Sequence, residues 1–450
     1  MSFSALDSAL TGPLFASERM RALFSDRARL AAMIEAETAL ARAQARFGLV
    51  SPDLAPALEA ITPEQLDIEA IGRETALAGV PVIPFVKAMR RLLPPAVEPD
   101  FHKGATTQDI ADTALVLQMR RAFSLIAEDT IATMRALQAL ASTHARTVCP
   151  GRTYGQHAAP VSFGYKVAVW NMGIADVALR AREVRGRALM ASLGGPVGTL
   201  AGMGAQRLEI AEAFADELGL ASAPISWHTR RAGIAEAGHW LAMLIAALAR
   251  MAGDVAHLAS TEVAEVAEPH QPGRGGSSAM PHKRNPVSCT VILAAASAAR
   301  GLALPLLDAM VSAHERPAGA WHAEWHALPQ LFGLASGALR EARVLAEGLD
   351  VDAARMTANL DATRGLIFAD AAAAELAPSI GAGVAHRIVT QAADKVRASG
   401  DHLRDVLARD HAVVATVLDG AFDLGPSVDA AAAWVARVDP AIEDACERLR

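Results

Sequence analysis

Apolar positions along this chain recur at helical spacing rather than in the alternation of strands. Ser25 and Asp26 offer an N-cap to a segment whose Leu30, Met33, Leu40 and Phe47 share one stripe, and Gly48 stands where a left-handed C-terminal residue belongs. From about Asp109 to Thr147 there is no proline, and Leu115, Met119, Phe123, Ile126, Met134 and Leu137 keep near-helical spacing until Pro150. A third helical stretch covers roughly 162–189. A fourth, from about Ile234 to Val266, aligns Leu241, Leu244, Ile245, Leu248, Met251, Val255 and Leu258 before Pro269. Helices of about 35 residues are about 50 Å long at 1.5 Å per residue, which predicts an extended bundle. Their polar faces lack the sustained charge pairing of a coiled coil, and alanine is spread all round, so each needs several neighbours. The bundle is therefore expected to oligomerise through these helices. Proline and glycine clusters at Pro269 to Gly276 and Gly194 to Gly198 predict loops, and the pattern shortens near Gly348 to Asp352. The expected layout is an N-terminal helical domain over 1–108, a central long-helix bundle over 109–350 and a C-terminal helical domain over 351–450.

Composition strengthens the all-α expectation. Hydrophobic residues make up 52% of the 450 positions but aromatics only 4%. The apolar content is mostly Ala and Leu, which favour helix over strand. A net charge of −7 without a basic run argues against a nucleic-acid partner. Cys149, Cys289 and Cys446 fit neither a disulfide framework nor a metal-binding spacing, which suits a reducing compartment. The first fifteen residues lack the pattern of a signal peptide. The longest strictly apolar run, Trp240 to Ala249, stops at Arg250, well short of a membrane span. The expectation is a cytoplasmic protein with no membrane partner.

The segment Gly273 to Pro286, G-R-G-G-S-S-A-M-P-H-K-R-N-P, concentrates the candidate chemistry. Its glycines permit close approach to a ligand, its serines and Asn285 offer neutral donors, and Lys283 with Arg284 adds positive charge for a carboxylate. The helix start that follows is expected to aim backbone N–H groups at a bound anion. A phosphate-cradling P-loop cannot be laid on this segment. His322 and His326 flank Glu324 at a spacing that two metal ligands could use, but Glu324 would face elsewhere on the helix, so no metal site is expected.

Gly276 to Pro286 resembles the signature of the fumarase/aspartase superfamily, whose members add or remove a group beside a carbon acid. The segments His102 to Asp109 (H-K-G-A-T-T-Q-D) and Gly151 to Pro160 (G-R-T-Y-G-Q-H-A-A-P) are similar to its other two signature regions, in order. Gly195-Pro196-Val197-Gly198-Thr199 and His314-Glu315-Arg316 match as well, so the resemblance covers almost the whole chain. Family members that cleave C–N or C–O bonds pair a His after the Thr of the second region with a Glu five residues past the signature Asn. Here Tyr154 and Thr290 stand at those places. In lacking that pair, and in Trp321 to Trp325 and Leu339 to Gly348, the chain is similar to the cycloisomerase branch, which closes a carboxylated muconate to a lactone in the β-ketoadipate route of aromatic-ring catabolism.

That resemblance implies a homotetramer with sites shared between subunits, a small tricarboxylate substrate and no cofactor. It implies Ser277 as the proton carrier to carbon, Lys283 and Asn285 as holders of the carboxylate on which charge grows, and His102 as an acid or orienting group. Thr106, Thr107, Gln108, Thr153, Gln156, His157, Met280 and Arg316 would contact the substrate, with Tyr154 left lining the pocket. The competing expectations are a lyase such as an adenylosuccinate-lyase-like enzyme, a cycloisomerase for a sulfonated muconate, and a helical scaffold that has lost activity. The presence of Ser277, Lys283 and Asn285 disfavours the last.

Overall fold

In the computed structural model, which describes residues 3–277 and 279–450, the Ser25 hydroxyl accepts a hydrogen bond from the Ala28 amide and opens helix α1 (Asp26–Arg46). Gly48 follows in the left-handed region at φ 67°. The 37-residue helix α2 (Thr107–Thr143) starts two residues before the position expected from spacing, because Thr106 and Asp109 form a capping box that fixes its first turn.

The chain then makes an antiparallel hairpin, β1 (Val148–Thr153) and β2 (Gln156–Ser162), with Cys149 opposite Val161 and Thr153 opposite Gln156. Pro150 and Pro160 hide it in the sequence, and a two-stranded ribbon tolerates them because both of its strands are edges. Tyr154 and Gly155 form its two-residue turn with φ of 51° and 77°, the left-handed pair that a tight hairpin requires.

The stretch 162–189 is two helices, α3 (Phe163–Ala178) and α4 (Ala181–Ala188), rather than one. The next stretch is α5 (Ala232–Leu258), ending before the expected Val266. Two further long helices were not apparent from spacing: α6 (Val287–Asp308) and α7 (Ala320–Gly348). Both contain an internal proline, Pro305 and Pro329, and α6 is apolar nearly all round, so neither shows a clean stripe.

Helices α2, α3, α5, α6 and α7 pack as one bundle, and the last helix, α8 (Gly425–Leu449), returns to lie against α3 and α2. The expected stripe Leu241, Leu244, Ile245, Leu248, Met251, Val255 and Leu258 is buried at the centre. A second apolar core, including Leu376, Val389, Leu403, Val406, Leu407 and Leu418, belongs to the short helices between α7 and α8. The fold is all-α, with the hairpin and one two-residue strand pair (Val266–Ala267 with Asp350–Val351) as its extended elements among the described residues.

Candidate active site

The start of α2 is organised by Asp109, which is fully buried. Its Oδ2 accepts hydrogen bonds from the amides of Thr106 (2.9 Å) and Gly195 (2.9 Å), and its Oδ1 accepts from the Gly194 amide (2.7 Å) and lies 2.7 Å from His228 Nε2. One carboxylate thus ties the helix cap to the 194–198 loop. The capping spacing Thr106-x-x-Asp109 is the sequence signal for it, whereas His228 has none.

Beside this knot, His102 adopts a positive φ of 59° and places Nδ1 2.6 Å from Oε1 of buried Glu37. Burial opposes a charged imidazole, but the charge and hydrogen bond of Glu37, helped by Asp109, outweigh it and raise the His102 pKa.

Arg316, in the exposed turn between α6 and α7, reaches the same place. Its Nε donates to Gln108 Oε1 (3.0 Å), and its Nη2 donates to Thr106 Oγ1 (3.0 Å) and the Pro196 carbonyl (3.4 Å). Thr107 is half-buried next to them. Gln108, expected to contact substrate, is held by partners within the protein. It is 0% exposed, and its amide nitrogen donates to Asp112 Oδ2 (3.1 Å) and the His228 carbonyl (2.9 Å), so both ends are engaged inside the protein.

The second region forms the hairpin. Thr153 and Gln156 face each other beside the turn, exposed, and Tyr154 stands fully exposed at the tip. Arg152 makes a two-pronged ion pair with buried Glu265, which also accepts from Asn359 Nδ2 (2.8 Å). His157 is half-buried, and burial first, then the Arg152 charge, lower its pKa, so its neutral form is favoured.

The third region is the loop before α6. Gly275, at φ 69°, lets the chain close on itself: its carbonyl accepts from the Asn285 amide (2.8 Å), and a Cβ there would meet the Asn285 carbonyl oxygen at 2.6 Å. Gly276 and Arg284 pair across this neck, bringing Ser277 and Lys283 to opposite sides of it. The Ser277 hydroxyl accepts from the amides of Met280 (3.1 Å) and Ala279 (3.4 Å), and Lys283 Nζ donates to Asn285 Oδ1 (2.6 Å). Met280 and Lys283 are exposed. Amide N–H donors aimed at the serine oxygen are the kind of partner that stabilises negative charge on it.

The start of α6 does not offer N–H groups to an outside anion, contrary to expectation. Glu268 occupies it, with Oε2 accepting from the Ser288 amide (3.0 Å) and Oε1 from the Cys289 amide (2.9 Å). Glu324 turns into the core, where it and Asp112 hold the buried Arg231, while His322 bonds the Gly79 carbonyl (3.2 Å).

Within one chain these regions do not form one site: the His102 segment and Arg316 share one end of the long helices, and the hairpin and the serine loop lie toward the other. The 22 residues of α6 separate the serine loop from the Arg316 turn by about 33 Å. The 37 residues of α2 separate the His102 segment from the hairpin by about 55 Å.

A family model described as lyase matches residues 15–301 of this chain. The chain is 44% identical to the 3-carboxy-cis,cis-muconate cycloisomerase of Pseudomonas aeruginosa, covering 94% of both proteins. It is 45% identical to the nitrosuccinate lyase of Streptomyces davaonensis, covering 90% of this chain and 88% of that one. Among solved structures, the 3-carboxy-cis,cis-muconate lactonizing enzyme of Pseudomonas putida superposes with a TM-score of 0.93 at 40% identity, covering 98% of this chain and all of the other.

Proposed function

Since the chain belongs to the lyase family of the fumarase/aspartase superfamily, we propose that it is a cycloisomerase interconverting 3-carboxy-cis,cis-muconate and 4-carboxymuconolactone. In the forward direction one substrate carboxylate oxygen bonds to the carbon bearing the third carboxyl group. The displaced π electrons move through the neighbouring carbon into its carboxylate, giving an aci-carboxylate, and that carbon then takes a proton. Ser277 delivers the proton and recovers it from solvent. Lys283 and Asn285 meet the aci-carboxylate, whose doubled charge is the step most in need of preorganised donors. Arg316, with Thr106 and Thr107, holds a second carboxylate, and Thr153, Gln156 and neutral His157 hold the third, with Met280 against the diene. His102 orients the Thr106 end of the site. No electron transfer or Lewis acid enters these steps. The free, buried cysteines suit a cytoplasmic enzyme.

The separation of the His102 and Arg316 end from the hairpin and serine-loop end supports a homotetramer in which helices of different copies run in opposite directions and bring unlike ends together. The observation that carries the choice of reaction is the state of positions 154 and 290. Tyr154 is exposed at the hairpin tip, and the Thr290 hydroxyl donates to the Pro286 carbonyl (2.8 Å), so neither supplies an acid–base couple for an external leaving group.

The similarity to a nitrosuccinate lyase supplies the second reading, elimination of nitrite from nitrosuccinate. Two assays separate them. Loss of diene absorbance with 3-carboxy-cis,cis-muconate, and kcat lowered about 10² to 10⁴-fold by Ser277→Ala at nearly unchanged KM, is the expected result. Nitrite release from nitrosuccinate without lactonisation would replace the cycloisomerase reading.

A further inference from the structure

Gln108 lies inside the first motif and is fully buried, held by partners within the protein. Its surroundings fix which way its amide points. Asp112 already accepts from Arg231 Nη1 (2.7 Å) and Nη2 (3.1 Å) and from the Trp321 indole (2.8 Å), and Arg231 is itself buried, paired with Glu324 and stacked 4.7 Å from the Trp227 ring. A carboxylate and the His228 carbonyl oxygen both face one end of Gln108. Two acceptors demand a donor, so the amide nitrogen is held inward and the carbonyl oxygen is left facing Arg316.

Arg316 has little else to fix it. It sits in an exposed turn, and its contacts to Thr106 and Pro196 both use Nη2. Bonds from one nitrogen leave a guanidinium free to pivot; the second bond, Nε to Gln108, sets its plane. Among the described residues Nη1 has no acceptor.

We infer that Gln108 is a positioning residue, held by the buried Asp112–Arg231–Glu324 cluster, that fixes the plane of Arg316 so that its Nη1 edge meets a substrate carboxylate. The inference rests on the reading of Arg316 as a carboxylate clamp. A clamp that binds substrate and transition state alike affects KM rather than kcat.

The test is a double-mutant cycle. Gln108→Met, which keeps size but loses the acceptor, should raise KM about tenfold, the worth of an oriented bond to a charged group, with kcat within about threefold of wild type. In an Arg316→Ala background the same substitution should change KM by less than about twofold, because its effect passes through the missing guanidinium. A KM penalty that persists without Arg316, or a fall in kcat at unchanged KM, overturns the inference. Should Gln108→Met fail to fold, Gln108→Lys takes its place in the cycle, since it keeps a donor toward Asp112 and the His228 carbonyl while offering Arg316 no acceptor. A crystal structure of the variant needs no substrate: Arg316 should leave the plane it holds, and an unmoved guanidinium refutes the assignment. If the wild type fails to turn over carboxymuconate, only the functional reading falls, and that structure still decides.

Discussion

His102 binds a proton more readily than a free imidazole because Glu37 and Asp109 together outweigh the cost of burying its charge. A folded-state pKa raised above the usual 6.5 gives stabilisation that is full below that value and is lost as pH rises through the folded one. His102→Gln should therefore lower Tm more at about pH 5.5 than at about pH 8.5, and equal losses in thermal melts at both would refute the pairing. His157 has the opposite sign: with its pKa lowered by burial and Arg152, its protonation resists folding as pH falls below the usual value. The motifs exposed Ser277, Lys283, Asn285 and Arg316 because those residue types are uncommon together in a glycine-rich loop or a turn. Glu37, Asp112, His228 and Arg231 were not legible, since a single polar residue on an apolar helix carries no period, and only packing shows its partner. Gln108 was legible as important but not in its direction, for a motif records identity and not which side of a helix end is buried.

The elements carry the next layer. Glu268 closes the first turn of α6 with two hydrogen bonds and sits where the helix dipole favours negative charge. Glu268→Gln should cost about 1 kcal/mol of stability in urea unfolding, with the loss falling on the base of the serine loop; unaltered stability would show the cap to be redundant. Helix α1 was legible from Ser25 and Gly48, because caps are local chemistry. The hairpin was not, because Pro150, Gly151 and Pro160 belong to loops as often as to strand edges. Nor were α6 and α7, whose composition on every face reflects neighbours on every side.

For the whole molecule, two helices remain undersupplied with neighbours. Both α5 and α6 are apolar and long enough to cross a membrane by composition alone, and only 44% and 33% of their most apolar windows are buried in one chain. Leu293, Leu304 and Leu307 of α6 and Met243 of α5 stay exposed. In the proposed tetramer, copies of the same helices cover these faces. Ser277→Ala and Gln156→Ala, each inactive alone, should then regain activity when co-assembled, because some mixed sites draw both intact residues from different chains. Mixed tetramers verified by mass that stay inactive would rule out the shared site. Such assembly turns α2 and α6 into gauge blocks. One residue inserted into α6 would carry Arg316 about 1.5 Å along and about 100° around the axis relative to Lys283. In a site joined from opposite ends of separate copies, that slip would unseat a clamp from a proton carrier on another chain, so the count of residues in a helix is constrained by chemistry taking place tens of ångströms away.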